Sequence, residues 1–368
     1  MAKIDELFRY LKQNKGSDLH LAAGLAPRIR RHGALEEVEG WDVLSDDELM
    51  ELLHEIADKD GWESYVECGD LDFAYGLEGV ARFRANFLRQ ENGAAAVFRI
   101  IPEKIMTVED LGMPAAIERL AHLRQGLVLV TGPTGSGKST TLAAIIDRIN
   151  STYEKHIVTI EDPVEFVHPN KKCVISQREV GHDTDSFASA LRAAVRQDAD
   201  VILVGEMRDL ETISLAITAA EMGTLVFGTL HTNSAAKTID RLIDAFPAEE
   251  QAQIRTTLAE SIAGIVSQLL HPTVDGHGRC ASHEILLKTS GLSNIIREGN
   301  TPMLLSVIQG NRSIGMQMMD DSLAELVEAG KITPHTAYLK ANDKARFDAM
   351  VKEAEDASGE SEAEAASE

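Results

Sequence analysis

The chain has 368 residues, 44% hydrophobic and 26% charged, a composition that excludes whole-chain disorder and leaves room for two domains, three at most. Fifty-nine acids against 36 bases give a formal net charge of −23. The last sixteen residues hold seven of those acids, so the body is acidic as well, which argues against broad nucleic-acid binding. Cys68, Cys173 and Cys280 form no Cys-x-x-Cys pair. That argues against a zinc knuckle or a disulfide scaffold and suits a reducing cytoplasm. No apolar run approaches the ~18 residues of a membrane span, and the charged amino terminus lacks a signal peptide's apolar core.

The first hundred residues read as a small α/β domain, residues 1–101. Ile4, Leu7, Phe8 and Leu11 recur at helical spacing. Extended pieces follow around Asp18–Leu21 and Pro27–Arg31, then helical patterns near 46–56 and 60–67. Asp70–Tyr75, Val80–Leu88 and Ala94–Ile101 read as strands. In the second of these, Phe83, Ala85 and Phe87 face one way and Arg82, Arg84 and Asn86 the other. Residues 102–114, with Pro102, Gly112 and Pro114, read as a linker.

From 115 to 350 the texture changes. Short apolar runs at Leu127–Thr131, Ile157–Ile160, Val201–Val204 and Thr224–Thr229 alternate with helical patterns. One helical face is Phe187, Leu191, Ala194 and Val195; another is Leu210, Ile213, Ile217 and Ala220. Buried strands alternating with helices predict an α/β domain with a parallel, doubly wound sheet. Residues 248–345 read as mostly helical, with one strand near His283–Leu287, and 351–368 as a disordered acidic tail.

Gly132-Pro133-Thr134-Gly135-Ser136-Gly137-Lys138-Ser139, followed by Thr140, matches the phosphate-loop pattern G-x-x-x-x-G-K-[ST] between a strand and a helix. The glycines let backbone N–H groups turn inward, and the helix presents its positive end to an anion. Lys138 is placed to meet the β- and γ-phosphates of ATP, and Ser139 to ligate Mg²⁺. The apolar run Val201–Val204 leads to Glu206, a second metal-site residue or the group that orients the attacking water. Thr159–Glu165 ends another run with Glu161, Asp162 and Glu165, and Gly228–Thr232 ends a third with His231. Sites in parallel sheets lie beyond the strands' carboxyl ends, so these groups should gather near the loop, with His231 a candidate γ-phosphate sensor. Which glutamate is the base stays open. Arg82, Arg84 and Arg99 are candidates for the positive charge that phosphoryl transfer needs.

Four of these segments, 132–139, 159–168, 205–209 and 228–233, resemble the Walker A, Asp box, Walker B and His box of the secretion ATPase superfamily, and above all of its pilus-retraction branch. Gly79–Asn86 and Ala95–Pro102 resemble that family's arginine-bearing strands. The resemblance spans about 2–345. It implies a PAS-like amino-terminal domain before a RecA-like ATPase domain, assembled as a cytoplasmic homohexamer at the inner-membrane base of a pilus machine. It further implies nucleotide between the two domains, ATP hydrolysis that drives pilus retraction and twitching motility, and an inner-membrane platform protein as partner. Glu206 then takes the role of catalytic glutamate, Glu165 of a second essential acid and His231 of a conformational sensor, with Arg82, Arg84 and Arg99 approaching the nucleotide.

One departure stands out. Where the retraction branch reads A-I-R-N-L-I-R-E, residues 291–298 read G-L-S-N-I-I-R-E. Ser293 replaces an arginine, which is either drift on an amphipathic helix or the mark of an accessory paralogue. Helical spacing places Ser293 on the surface, turned toward a partner. A pilus-extension or type II secretion ATPase is the alternative within the superfamily, disfavoured by the short amino-terminal region and the missing four-cysteine zinc site. A nucleic-acid motor is disfavoured by the acidic body and the 5% aromatic content.

Overall fold

The computed structural model describes residues 2–31, 33–101, 104–276 and 278–353. They form two compact units: residues up to Ile105 together with Pro163–Val167, and Met106–Asp162 together with His168 onward.

The first unit begins with the helix Asp5–Gln13. Ile4, Leu7, Phe8 and Leu11 fall on one stripe and are fully buried. Beneath them lie six strands: β1 (Asp18–Ala22), β2 (Arg28–Arg31), β3 (Ala34–Glu37), β4 (Asp70–Leu77), β5 (Ala81–Gln90) and β6 (Gly93–Ile101). They pair antiparallel throughout in the order β3-β2-β1-β6-β5-β4. Phe83, Ala85 and Phe87 are buried, as the alternation of β5 requires. Two further helices, Asp46–His54 and Lys59–Cys68, begin at side-chain caps. Ser45 and Glu48 form a reciprocal capping box at the first, and Asp58 accepts from Gly61 N–H at the second. Of the linker, residues 104–114 hold no helix or strand, and 102 and 103 lie outside the described residues.

The second unit is built on seven strands: β7 (Gly126–Thr131), β8 (His156–Glu161), β9 (Val174–Glu179), β10 (Val201–Val204), β11 (Leu225–Leu230), β12 (Ile262–Pro272) and β13 (Arg279–Leu287). Their order is β13-β12-β7-β11-β10-β8-β9, all parallel except the β12–β13 pair. Both faces of this sheet are covered. Leu127, Leu129, Val158, Ile160, Ile202 and Val204 pack on one side with the helices Phe187–Ala194, Leu210–Glu221 and Ala235–Asp244. Val128, Val130, Ile157, Val201 and Leu203 pack on the other, with the helix Lys138–Thr152. This is the doubly wound α/β arrangement expected.

Four expectations need correction. Residues 262–272 are strand rather than helix. Ile262–Gln268 are buried without a break, so the run shows neither alternation nor a helical stripe, and it follows the helix Gln251–Ser261 directly. Val195 and Leu210 lie at helix ends and are 38% and 41% exposed, off the buried faces assigned to them. Residues 345–353 are helical, with Phe347 buried against Met319 and Leu323, so the chain stays structured past Met350. The remainder of the acidic tail, 354–368, lies outside the described residues.

Ser293 is the fourth. Leu292, Ile295 and Ile296 do form the buried face of the helix Ser290–Glu298, yet Ser293 is half-buried and does not face outward. Its hydroxyl donates to the Ala259 carbonyl at 2.8 Å. Ala259 stands in the last turn of the helix Gln251–Ser261, where carbonyls lack intrahelical donors. Replacing Ser293 by arginine removes that bond and forces a long side chain into the seat. Ser293→Arg should therefore cost about 1 kcal/mol or more. A melt should show it as a fall of roughly 2–4 °C, and an unchanged Tm would return Ser293 to a surface role.

Three histidines, His168, His271 and His283, are buried, and burial pushes each imidazole down to about 4. His271 and His283 stand on the paired strands β12 and β13, where His271 adds to burial in opposing protonation of His283, and Lys340 does so for His271. Folded, these rings stay neutral until about pH 4; unfolded, they take a proton near their ordinary 6.5. Between those values the unfolded chain binds more protons, so stability falls as pH drops through 6.5 toward 4, by up to about 1.4 kcal/mol per pH unit per histidine. Urea midpoints followed from pH 7 to 5 should decline, and His283→Gln should make the decline shallower.

Candidate active site

β7 ends at Thr131, and the chain turns through Gly132–Gly137 into the fifteen-residue helix Lys138–Thr152. Gly132 and Gly137 take φ of 148° and 86°, which a side chain would strain. A Cβ on Gly132 would also run into the backbone oxygen of Gln268. Pro133, Thr134 and Gly135 form the exposed crest of the loop, and Gly137, Lys138, Ser139 and Thr140 are half-buried. No side chain caps the helix, so its first-turn N–H groups are left to other acceptors. Lys138 Nζ lies over the loop, donating to the Gly132 and Pro133 carbonyls at 2.9 and 3.1 Å. The Ser136 hydroxyl is buried inside the loop with no hydrogen-bond partner. A glycine cradle with a lysine over it, uncapped helix amides and an orphan hydroxyl is a donor set for phosphate oxygens. Nucleotide phosphates fit it.

The ends of β8, β10 and β11 are tied to one another. Gly205 N–H bonds the Ile160 carbonyl on β8, and Met207 N–H bonds the Thr229 carbonyl on β11, so Glu206 is pinned between two neighbouring strands. Its carboxylate is engaged at both oxygens: Oε1 lies 3.0 Å from His231 Nε2, and Oε2 accepts from Arg208 Nη2 at 2.7 Å. The Arg208 hydrogen bond, with the nearby His231, holds the Glu206 carboxyl below its usual range although burial works against it. Asp162 adds its negative charge at Arg208. Glu161 is held by Thr159 Oγ1 at 2.7 Å and Gln177 Nε2 at 3.2 Å. Glu206 and His231 are thus in direct contact.

The other expected residues belong to the first unit. Glu165 belongs to Pro163–Val167, which groups with the first unit. Arg82, Arg84 and Arg99 lie on one face of the first unit's sheet, where Arg84 and Arg99 are direct cross-strand neighbours. Arg84 pairs with both oxygens of Asp72, at 3.2 and 2.6 Å. Arg99 Nε pairs with the buried Asp18 at 2.7 Å. Two residues of the second unit escaped sequence reasoning. Arg208 lies inside the segment 205–209, from which only Glu206 was read as a site residue. Gln268 on β12 donates from Nε2 to the Ser136 carbonyl at 2.6 Å and accepts from Thr141 Oγ1 at 2.7 Å. Its signal was a polar pair, Ser267-Gln268, set between the apolar residues Ile262–Val266 and Leu269–Leu270.

A family model described as "Type II/IV secretion system protein" matches residues 4–363. The chain belongs to that family. Among its relatives is the type IV pilus retraction ATPase PilT of Pseudomonas aeruginosa, 50% identical over 94% of this chain and 99% of the relative. The type IV pilus ATPase PilU of the same organism is 37% identical over 95% of this chain and 91% of its own. Among solved structures, the pilus retraction motor PilT with bound ADP superposes with a TM-score of 0.87 at 42% identity, covering 94% of this chain and 98% of that one. The secretion-family motifs are therefore set in the architecture of a known ATPase fold.

In this secretion-family chain the Glu206–Arg208 pair makes a measurable claim. Arg208→Ala should raise the Glu206 carboxyl toward the ordinary glutamate range, because the principal group that lowers it is gone. Titration of the glutamate side-chain carbons by NMR, with Glu206→Gln to assign the signal, should show the midpoint move up. An unmoved midpoint would mean that Arg208 does not hold the acid.

Proposed function

We propose that this chain is an ATP-hydrolysing motor that powers type IV pilus retraction, acting as a homohexamer. The observation that carries the reading is the 50% identity to a PilT over essentially the full length of both chains. The relative whose printed name carries retraction, PilT, is matched at higher identity than the pilus ATPase PilU, 50% against 37%. Ser293, seated on Ala259, has a structural role that does not call for an accessory one. The partner in this reading is an inner-membrane platform protein, and the place of work is the cytoplasmic base of the pilus. Among the described residues no helix is long and apolar enough to cross a membrane.

In the reaction we propose, residues 132–140 bind the phosphates of ATP, and Lys138 neutralises charge on the β- and γ-groups. Ser139, with Glu206 through water, would hold Mg²⁺, which supplies charge neutralisation along the phosphates. Glu206 accepts a proton from the attacking water once one of its present partners yields a carboxylate oxygen. His231, bonded to Glu206, reports on the same site. Glu165 is the second essential acid, and Arg82, Arg84 and Arg99 supply transition-state charge.

Lys138→Ala should abolish turnover and nucleotide binding together. Glu206→Gln should keep binding and lower kcat by at least about a hundredfold, the share of a positioned base. Release of phosphate and binding of a fluorescent ADP analogue separate the two effects. Wild-type turnover in Lys138→Ala would end the ATPase reading. Normal twitching in a deletion strain would end the retraction reading.

A further inference from the structure

The phosphate loop is held from behind by one side chain. Gln268 is 3% exposed, on a strand flanking β7 in parallel. The Ser136 carbonyl can only accept, so the Gln268 amide must turn its nitrogen to Ser136 and its oxygen to the Thr141 hydroxyl. Those two contacts sit on either side of Gly137. Gln268 Nε2 also packs where a Cβ at 137 would be, and its backbone oxygen where a Cβ at 132 would be. Both ends of the loop thus close on the same residue.

The consequence follows from peptide geometry. A trans peptide is planar, with its C=O and N–H pointing to opposite sides. With the Ser136 carbonyl fixed on Gln268, the Gly137 N–H of the same peptide must point away from β12. Gly137 is the residue most able to rotate here, since its backbone carries no Cβ. Without the Gln268 bond that peptide can flip, and a donor expected at the phosphates would turn its carbonyl to them instead. Thr141 N–H bonds the Gly137 carbonyl at 3.0 Å, so the second arm of Gln268, on Thr141, fixes the following peptide too.

We propose that Gln268 is a positioning residue for nucleotide binding. It acts through the Ser136–Gly137 peptide and sets the direction of the Gly137 N–H. This rests on the reading that residues 132–140 bind nucleotide phosphates.

The test uses the full chain and a fluorescent ADP analogue. Gln268→Met keeps length and bulk but loses both hydrogen bonds. Gln268→Glu keeps the acceptor for Thr141 but, ionised, faces the Ser136 carbonyl with an oxygen that cannot donate. Each should weaken ADP at least tenfold and raise KM for ATP more than it lowers kcat. The deciding readout is pH. A protonated glutamic acid at 268 can donate to Ser136, so the affinity of Gln268→Glu relative to wild type at the same pH should recover as pH falls from 8 to 6. Gln268→Met should show no such recovery. Affinity within twofold of wild type in both variants overturns the proposal. So does a Gln268→Glu deficit that ignores pH, since loss of packing alone would not titrate. Lys138→Ala guards the premise: if it binds ADP as wild type does, the nucleotide reading has failed and not the role of Gln268. Should Gln268→Met prove too unstable to purify, the pH ratio of Gln268→Glu still decides.

Discussion

Everything in the second unit depends on the parallel register of β7, β8, β10 and β11. Val204 stands opposite Ile160 on one side and Gly228 on the other, and Leu230 stands opposite Thr131. Strands aligned this way end together, so the loops after them open on one edge. Burial on both faces then decides what the strands can carry. An unpaired charge inside such a sheet costs several kcal/mol, and the interiors of these four strands accordingly carry none. Charged and titratable groups appear where the strands stop: Lys138 and Ser139 after β7, Glu161 and Asp162 at β8, Glu206 after β10, His231 after β11. The site is what remains when charge is excluded from the interiors of these four strands.

The first unit shows the opposite solution. Its strands are antiparallel, with Phe83, Ala85 and Phe87 turned to a core, so the other face can carry charge. Arg30, Asp18, Arg99 and Arg84 line up as one cross-strand row over four adjacent strands. Arg84 and Arg99 are like charges directly opposite each other, an unfavourable placement. Asp72 and Asp18 compensate it, each bonded to one of the pair. Burial disfavours the Asp18 carboxylate, yet the hydrogen bonds from Ser17 and Arg99 hold its carboxyl below the usual range.

This division explains what could be read in advance. Alternation announced β5, and its buried and open faces came out as the pattern said. The glycine loop was legible because its chemistry constrains residue type position by position. The convergence of Glu206 and His231 followed from strand order, without a contact being visible. β12 was hidden by its own burial, since a strand covered on both faces has no period to distinguish it from a core helix. With it went Gln268, whose role depends on a neighbour 132 residues away in the chain. Ser293 failed for a related reason: helical spacing tells which side faces the helix's own core, not which flank meets the end of another helix. Arg208 needed the side-chain geometry at a strand end, which no sequence period encodes.

Magnitudes separate the two halves of the site. Gln268 and Thr141 are buried, and breaking a buried hydrogen bond leaves an unsatisfied group at a cost of about 1–3 kcal/mol. Glu206 meets its partners at the surface: the side chains of Arg208 and His231 are 70% and 45% exposed. An ion pair so placed, as between Glu206 and Arg208, is worth roughly 0–1 kcal/mol. Arg208 also has Asp162 within electrostatic reach, so leaving Glu206 does not strand its charge. In the reaction proposed above, the phosphate loop must present its donors in one fixed arrangement, and Glu206 as the base must change partners during a cycle. The strong, dry contacts fall on the loop and the weak, wet ones on the acid, which is the distribution those two tasks require.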